Sequence, residues 1–278
     1  MKFPNNILVI GDCFRDVWVE AKADRRSAEA DIPIYDLNKT YQNKGGAANV
    51  HEALRKITGF DVGFYDSHVW PTKTRILVDG KQVCRFDMND KLTEIPTTPY
   101  LFEDRVVVIS DYNKGSIGEN VLKNASKAAK EIWINTKLVA PYHQCLDMAG
   151  KSAEGPAVNW TCNQREMDAN RDFYDRQARV FVTKSENGIS FYHYGKEKAW
   201  SPSQAKEVVS VSGAGDVTLA ALVYCNYAGA GKYDDMLKFA MSAAKVSVEK
   251  SRVYCPTLEE IDKAYAIAGD LSKIYDCK

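Results

Sequence analysis

The chain has 278 residues, enough for one large α/β domain with or without an appendage. Its 37 Lys and Arg balance 37 Asp and Glu, which excludes a broad nucleic-acid footprint but leaves a local basic pocket open. No apolar run is long enough to span a membrane. The odd cysteine count, with no C-x-x-C pair and no signal peptide, points to a reduced, cytoplasmic protein, and the scattered histidines lack zinc-ligand spacing.

In chain order, Asn6 to Ile10 reads as a short apolar strand ending at Gly11-Asp12. Residues 17–42 are mixed, with alternation through Ile32-Pro33-Ile34-Tyr35-Asp36-Leu37, and suggest an extended ribbon. Gly45-Gly46 opens a helix to Ile57, and Asp61 to Tyr65 reads as a further strand. Residues 72–87 form a hairpin pattern around Asp79-Gly80, a type I′ turn signal. Arg105 to Ser110 is a buried strand of the parallel kind, followed by a helix over 117–130 and a strand over 131–135. Residues 157–161, 178–183 and 189–193 are strand candidates, and 206–209 read as a short strand. Helices are expected over 215–228, 233–250 and 257–273.

Strands alternating with helices imply an α/β fold: a mainly parallel central sheet covered by helices on both faces. Residues 17–42 and 72–87 break the alternation and read as a small projecting β lid on a single domain spanning 1–278. A two-layer ribbon buries its own apolar face poorly, which gives a physical reason for pairing with a second subunit.

Gly213-Ala214-Gly215-Asp216 lies where the predicted strand gives way to a helix. Small residues there let backbone N–H groups face an anion at a helix N-terminus. A carboxylate beside that anion makes sense as a base that takes a proton from an attacking hydroxyl. Alone, the motif fits a plain helix cap equally well.

The ordered motifs together resemble the ribokinase-like, or PfkB, carbohydrate kinases. They are Gly11-Asp12 with Asp16; Ser27 to Ile34; Gly45-Gly46-Ala47-Ala48-Asn49-Val50; Thr72-Lys73-Thr74-Arg75 with Arg85-Phe86-Asp87; Ser110-Asp111-Tyr112-Asn113-Lys114-Gly115; Asn163-Gln164-Arg165-Glu166; Thr183 to Gly188; and Gly213 to Asp216. The second and fifth are similar to the branch that phosphorylates D-glycero-D-manno-heptose 7-phosphate at O1. The resemblance implies a ribokinase-like fold, ATP and Mg²⁺ as cofactors, a sugar phosphate as substrate, and a homodimer formed through the lid. The balanced charge and the lack of a membrane-length apolar run argue for neither a nucleic-acid nor a membrane partner.

The implied roles follow residue by residue. Asp216 would be the general base, with the backbone of Gly213, Ala214 and Gly215 forming the anion hole. Asp16, Gly45, Gly46 and Asn49 would hold the sugar, and Arg75, Arg85 and Lys114, with Lys73, its distal phosphate. Asn163, Thr183, Gly188 and Lys137 would border the nucleotide, and Glu166 would organise Mg²⁺. Asn163 with Glu166 also fits a helix capping box. Three features depart from the family pattern: a short stretch between Val50 and Thr72; Ser210 where an acidic residue is common, with Asn135-Thr136 in place of Asp-Pro; and no H-x-G-H motif of the nucleotidyltransferase often fused to heptose kinases. A kinase of a simple sugar or nucleoside, or a binding module that keeps the pocket without catalysis, are the alternatives.

Overall fold

A computed structural model describes residues 6–142, 155–229 and 232–268. Its strands are β1 (Ile7–Gly11), β2 (Cys13–Arg26), β3 (Pro33–Gly46), β4 (Gly63–Tyr65), β5 (Thr72–Val78), β6 (Lys81–Met88), β7 (Val106–Asp111), β8 (Glu131–Thr136), β9 (Ala157–Asn163), β10 (Val180–Thr183), β11 (Ile189–His193) and β12 (Lys196–Ser201). Its helices are α1 (Ala47–Thr58), α2 (Glu119–Ala128), α3 (Gln164–Ala169), α4 (Arg171–Tyr174), α5 (Ala214–Ala228), α6 (Tyr233–Val248) and α7 (Leu258–Ala268). The part of the last expected helix beyond 268 lies outside the described residues.

Eight strands form one sheet in the order β12-β11-β10-β9-β8-β7-β1-β4. From β4 to β10 every pairing is parallel, and β11 and β12 close the far edge antiparallel. Alternation along the central strands sends side chains to opposite faces. Val106 and Val108 join a core with α1, α5 and α6, whereas Val107 and Ile109 join a second core beneath α2. The short stretch after Val50 leaves β4, only three residues long, as the other edge.

The remaining four strands make the lid, in the order β3-β2-β5-β6. Asp79 and Gly80 both take positive φ, 49° and 74°, as the hairpin reading requires. Cross-strand partners share a face. One face therefore carries Val17, Val19, Thr74, Ile76, Cys84 and Phe86, and the other carries Asp16, Trp18, Lys73, Arg75, Arg85 and Asp87.

One local reading is corrected. Residues 206–209 are not a strand: Val208 and Val209 are exposed, and the N–H groups of Val209 and Ser210 both donate to the Val248 carbonyl, so the approach to α5 is a loop. β12 and the short helix α4 carry no strong sequence signal; Lys196 to Ser201 is polar and mostly exposed, without a buried alternation to mark it.

Candidate active site

The parallel strands β1, β7, β8, β9 and β10 deliver their C-terminal ends, with Asp12, Asp111, Thr136, Asn163 and Thr183, to one edge of the sheet. Open α/β sheets bind ligands at that edge. Asp12 is fully buried and organises the loop after β7. Its carboxylate accepts from the N–H groups of Tyr112 (2.8 Å), Lys114 (2.9 Å) and Ser116 (3.1 Å) and from the Ser116 hydroxyl (2.5 Å). Asp111 accepts from Thr136, Tyr142 and the Asn113 N–H. Burial, with Asp12 nearby, raises the Asp111 carboxyl to about 6.

Gly213 caps α5 with φ 81°, and a Cβ there would lie 2.6 Å from the Asn49 amide nitrogen. Glycine is therefore required both by conformation and by the close approach of α1. Ala214 and Gly215 begin α5, whose first-turn N–H groups have no intrahelical acceptor. Asp216 follows in that turn, 4% exposed. Asn49 Nδ2 donates to its Oδ2 at 2.9 Å and the Tyr112 hydroxyl to its Oδ1 at 2.9 Å. Burial nevertheless raises Asp216 to about 6; the two donors and Lys137 oppose the shift and Asp16 adds to it.

Asn49 was expected on the sugar. Its amide is used within the protein: Nδ2 holds Asp216, and Oδ1 lies 3.0 Å from the Cys255 thiol. Tyr112 lies within the Ser110 to Gly115 motif, which by itself assigns it no role. Only the fold joins it to Asp216, 104 positions away.

Asp16 on β2 is buried and pairs with Arg75 on β5 at 2.6 Å. Gly45 makes room for both Phe14 and Asp16: a Cβ would sit 2.1 Å from the Phe14 ring and 2.8 Å from the Asp16 carboxylate. Gly46 closes β3 and leads straight into α1. Arg85 pairs with Asp87 and Lys114 with Asp90. Lys73 differs from its neighbours. It is 9% exposed, makes no ion pair among the described residues, and places its ammonium 3.3 Å from the centre of the Phe14 ring. Burial pushes this lysine down from its ordinary range, against the pull of Asp16.

On the other side of α5's start, Thr183, Glu186, Gly188, Ala205, Val208, Val211, Ala214, Gly215, Met241 and Val248 are among the lining of a groove of about 440 Å³. A cavity of about 200 Å³ bordered by Tyr112, Asn135, Lys137, Asn163, Glu166, Thr183 and Gly215 meets it at Thr183, Gly215 and Thr218. Asn163 and Glu166 form a capping box at α3, and the second oxygen of Glu166 meets Lys137 at 2.5 Å. The described residues hold no cluster of three or more metal-ligating side chains and no helix long and apolar enough to cross a membrane.

The sequence pattern of pfkB family carbohydrate kinases matches residues 168–260. The bifunctional protein HldE of Chromohalobacter salexigens is 29% identical over 306 aligned positions, covering 95% of this chain and 64% of that protein. The Vibrio parahaemolyticus HldE is 28% identical, with 95% and 63% covered, so the chain spans less than two thirds of the length of these relatives. Among solved structures, Arabidopsis thaliana ribokinase complexed with ribose and ATP superposes with a TM-score of 0.69 at 15% identity over 94% of this chain and 98% of that one. Phosphofructokinase-2 of Escherichia coli in complex with potassium gives 0.67 at 13% identity, over 94% and 98%. The fold is therefore ribokinase-like, and the sequence pattern matched over residues 168–260 is that of the pfkB carbohydrate kinases.

Proposed function

We propose that the protein is an ATP-dependent kinase of a sugar phosphate, with a heptose 7-phosphate as substrate and O1 as the acceptor. The observation that carries this reading is the position of Asp216. It lies at the start of α5, with a nucleotide-sized groove on one side and the charged face of the lid on the other. The sugar oxygen bonds to the γ-phosphorus as the bond from that phosphorus to the β,γ-bridging oxygen breaks. ADP leaves with the electron pair, and the hydroxyl proton passes to Asp216. Gly213 and Gly215 offer backbone N–H groups and the positive end of α5 to the transferring group, beside the Ala214 N–H, which lies 3.3 Å from the Val211 carbonyl.

Lys73 supports an anionic substrate over a neutral one. A buried ammonium with no carboxylate partner is costly unless an incoming anion completes it. Arg75, Arg85 and Lys114 stand near it as ion pairs that can share donors with a phosphate. Asp16 would take sugar hydroxyls.

The donor set fits Mg²⁺, which needs few protein ligands when ATP phosphates and water supply the rest. Glu166 is the carboxylate at the nucleotide side, with Asn163 beside it. When bound, the ion neutralises phosphate charge. Thr183, Gly188 and Lys137 border the nucleotide. The charge balance and the free-cysteine pattern support a cytoplasmic site of action without nucleic-acid partners.

ATP consumption with a panel of acceptors tests the reading. Turnover with D-glycero-D-manno-heptose 7-phosphate, and none with ribose or adenosine, is expected. Preference for a simple sugar or nucleoside would move the assignment to that class, and no turnover at all would leave a binding module.

The homodimer belongs to the same proposal. The apolar lid face leaves Leu37, Phe86 and Met88 exposed by 65%, 47% and 53%, a surface suited to a second copy. Sedimentation should give twice the monomer mass, and F86D with L37D should give a monomer. Unaltered dimers in that variant would place the interface elsewhere.

A further inference from the structure

The candidate base is held from two sides, and one holder has no assigned part in the chemistry. Tyr112 is itself fixed at three points. Its N–H donates to Asp12 Oδ2 at 2.8 Å, its ring meets Phe14 edge-on at 5.0 Å, and its hydroxyl donates to Asp216 Oδ1 at 2.9 Å. Ammonium groups flank the ring at 5.4 Å, Lys73 from the lid and Lys137 from the body. Aspartate offers about four acceptor positions. Asn49 and Tyr112 take one on each oxygen, leaving the others for an incoming hydroxyl.

We propose that Tyr112 is a positioning residue for phosphoryl transfer, its hydroxyl fixing, together with Asn49, the plane of the Asp216 carboxylate that the sugar hydroxyl must approach. This rests on the kinase reading above. Tyr112 keeps its own proton throughout; the sugar's proton goes to Asp216 as the new O–P bond forms and ADP departs. Burial and the adjacent Asp216 charge hold the phenol well above the ordinary tyrosine range, so it remains a donor. Donation to the ionised form counters the burial of the carboxylate.

The groups facing Asp216 come from every element around it. Asn49 reaches it from α1 and Tyr112 from the loop after β7, both by hydrogen bond. Lys137 after β8 favours the ionised carboxylate, and Asp16 on β2 opposes it. Cys13 on β2 and Cys255 beyond α6 are neutral thiols, raised by burial. Tyr112 can thus be removed as a donor while the rest of the surroundings stay in place.

Tyr112→Phe deletes one oxygen and keeps the ring. The Asp216 carboxyl titration can be followed by ¹³C NMR, the signal being assigned by its loss in Asp216→Asn. Its midpoint should rise by about one pH unit in the variant. With ATP and D-glycero-D-manno-heptose 7-phosphate, the acid limb of kcat/KM should move up by the same amount. Above that limb kcat should fall about tenfold with KM for ATP unchanged. A purely structural part would lower the melting temperature and leave the titration where it was; that result, or an unshifted titration with an unchanged rate, overturns the proposal. If Tyr112→Phe does not fold, 3-fluorotyrosine at position 112 keeps the shape and strengthens the donor. It should move the midpoint downward, and no movement overturns the proposal. Failure of the wild type to phosphorylate any sugar phosphate would sink the kinase reading, while the NMR titration would still decide whether Tyr112 controls Asp216.

Discussion

The sheet body and the lid handle buried charge in opposite ways. In the body, Asp12 has four donors from the loop after β7, Asp111 three, and Asp216 two. In the lid, Asp16, Arg75, Arg85 and Asp87 meet as ion pairs on one face, and Lys73 has none among the described residues. The body's fully buried apolar residues fill two large clusters, whereas the lid's cluster contains only Val19, Ala21 and Ile76. The lid's charges and its exposed apolar face both ask for something further. On the proposed function, chemistry falls to the body and selection to the lid.

The largest test of that division removes the candidate base. Asp216→Asn keeps the shape and loses the basicity, so kcat should drop by about 10²–10⁴-fold while ATP still binds. Turnover at the wild-type rate would take Asp216 out of the mechanism. A smaller loss, confined to the lid's function, is expected for Lys73→Met. Losing one charge-assisted hydrogen bond to phosphate costs about 1.5–3 kcal/mol. That is roughly a ten- to hundredfold loss in kcat/KM for the sugar phosphate, with KM for ATP unchanged. An equal effect on both substrates would erase the distinction between the two regions.

The smallest effect is on stability. The folded Asp216 carboxyl lies near 6 against an ordinary value of 3.8, so the folded state prefers it protonated. That contribution is fully present below the unfolded value and is lost as pH rises through the folded one. Asn at 216 has no such loss. The stability of Asp216→Asn relative to wild type should therefore rise by about 1–3 kcal/mol between pH 4 and pH 8, measured by denaturant titration. A difference independent of pH would mean that Asp216 titrates normally.

Much of the frame could be read before the fold was known, because its signals are local. The apolar run of β7 and the Asp79-Gly80 turn carry their own structure within a few residues. The 206–209 reading went wrong for a tertiary reason: the N–H groups of that loop find the end of α6 rather than a neighbouring strand. The residues of the candidate site were named from motifs, but not their contacts. Asn49 and Asp216 are 167 positions apart, and nothing local tells Asn49 to hold a carboxylate rather than face a sugar. The pairing of Asn163 with Glu166 was legible as a capping box, and that geometry is present alongside any part it has with metal.

Asp12 also stands at the only residue between β1 and β2, the step from body to lid. Its backbone N–H bonds to Ser110, and its carbonyl accepts from Ala47, where the chain returns from lid to body. Its side chain gathers the loop that carries Tyr112 and Lys114. Lid orientation and loop geometry therefore share one fixed point. Substitutions in the two should show non-additive energies even where their side chains never touch. A lid exchanged from a related kinase would then work only when the 111–116 loop is exchanged with it.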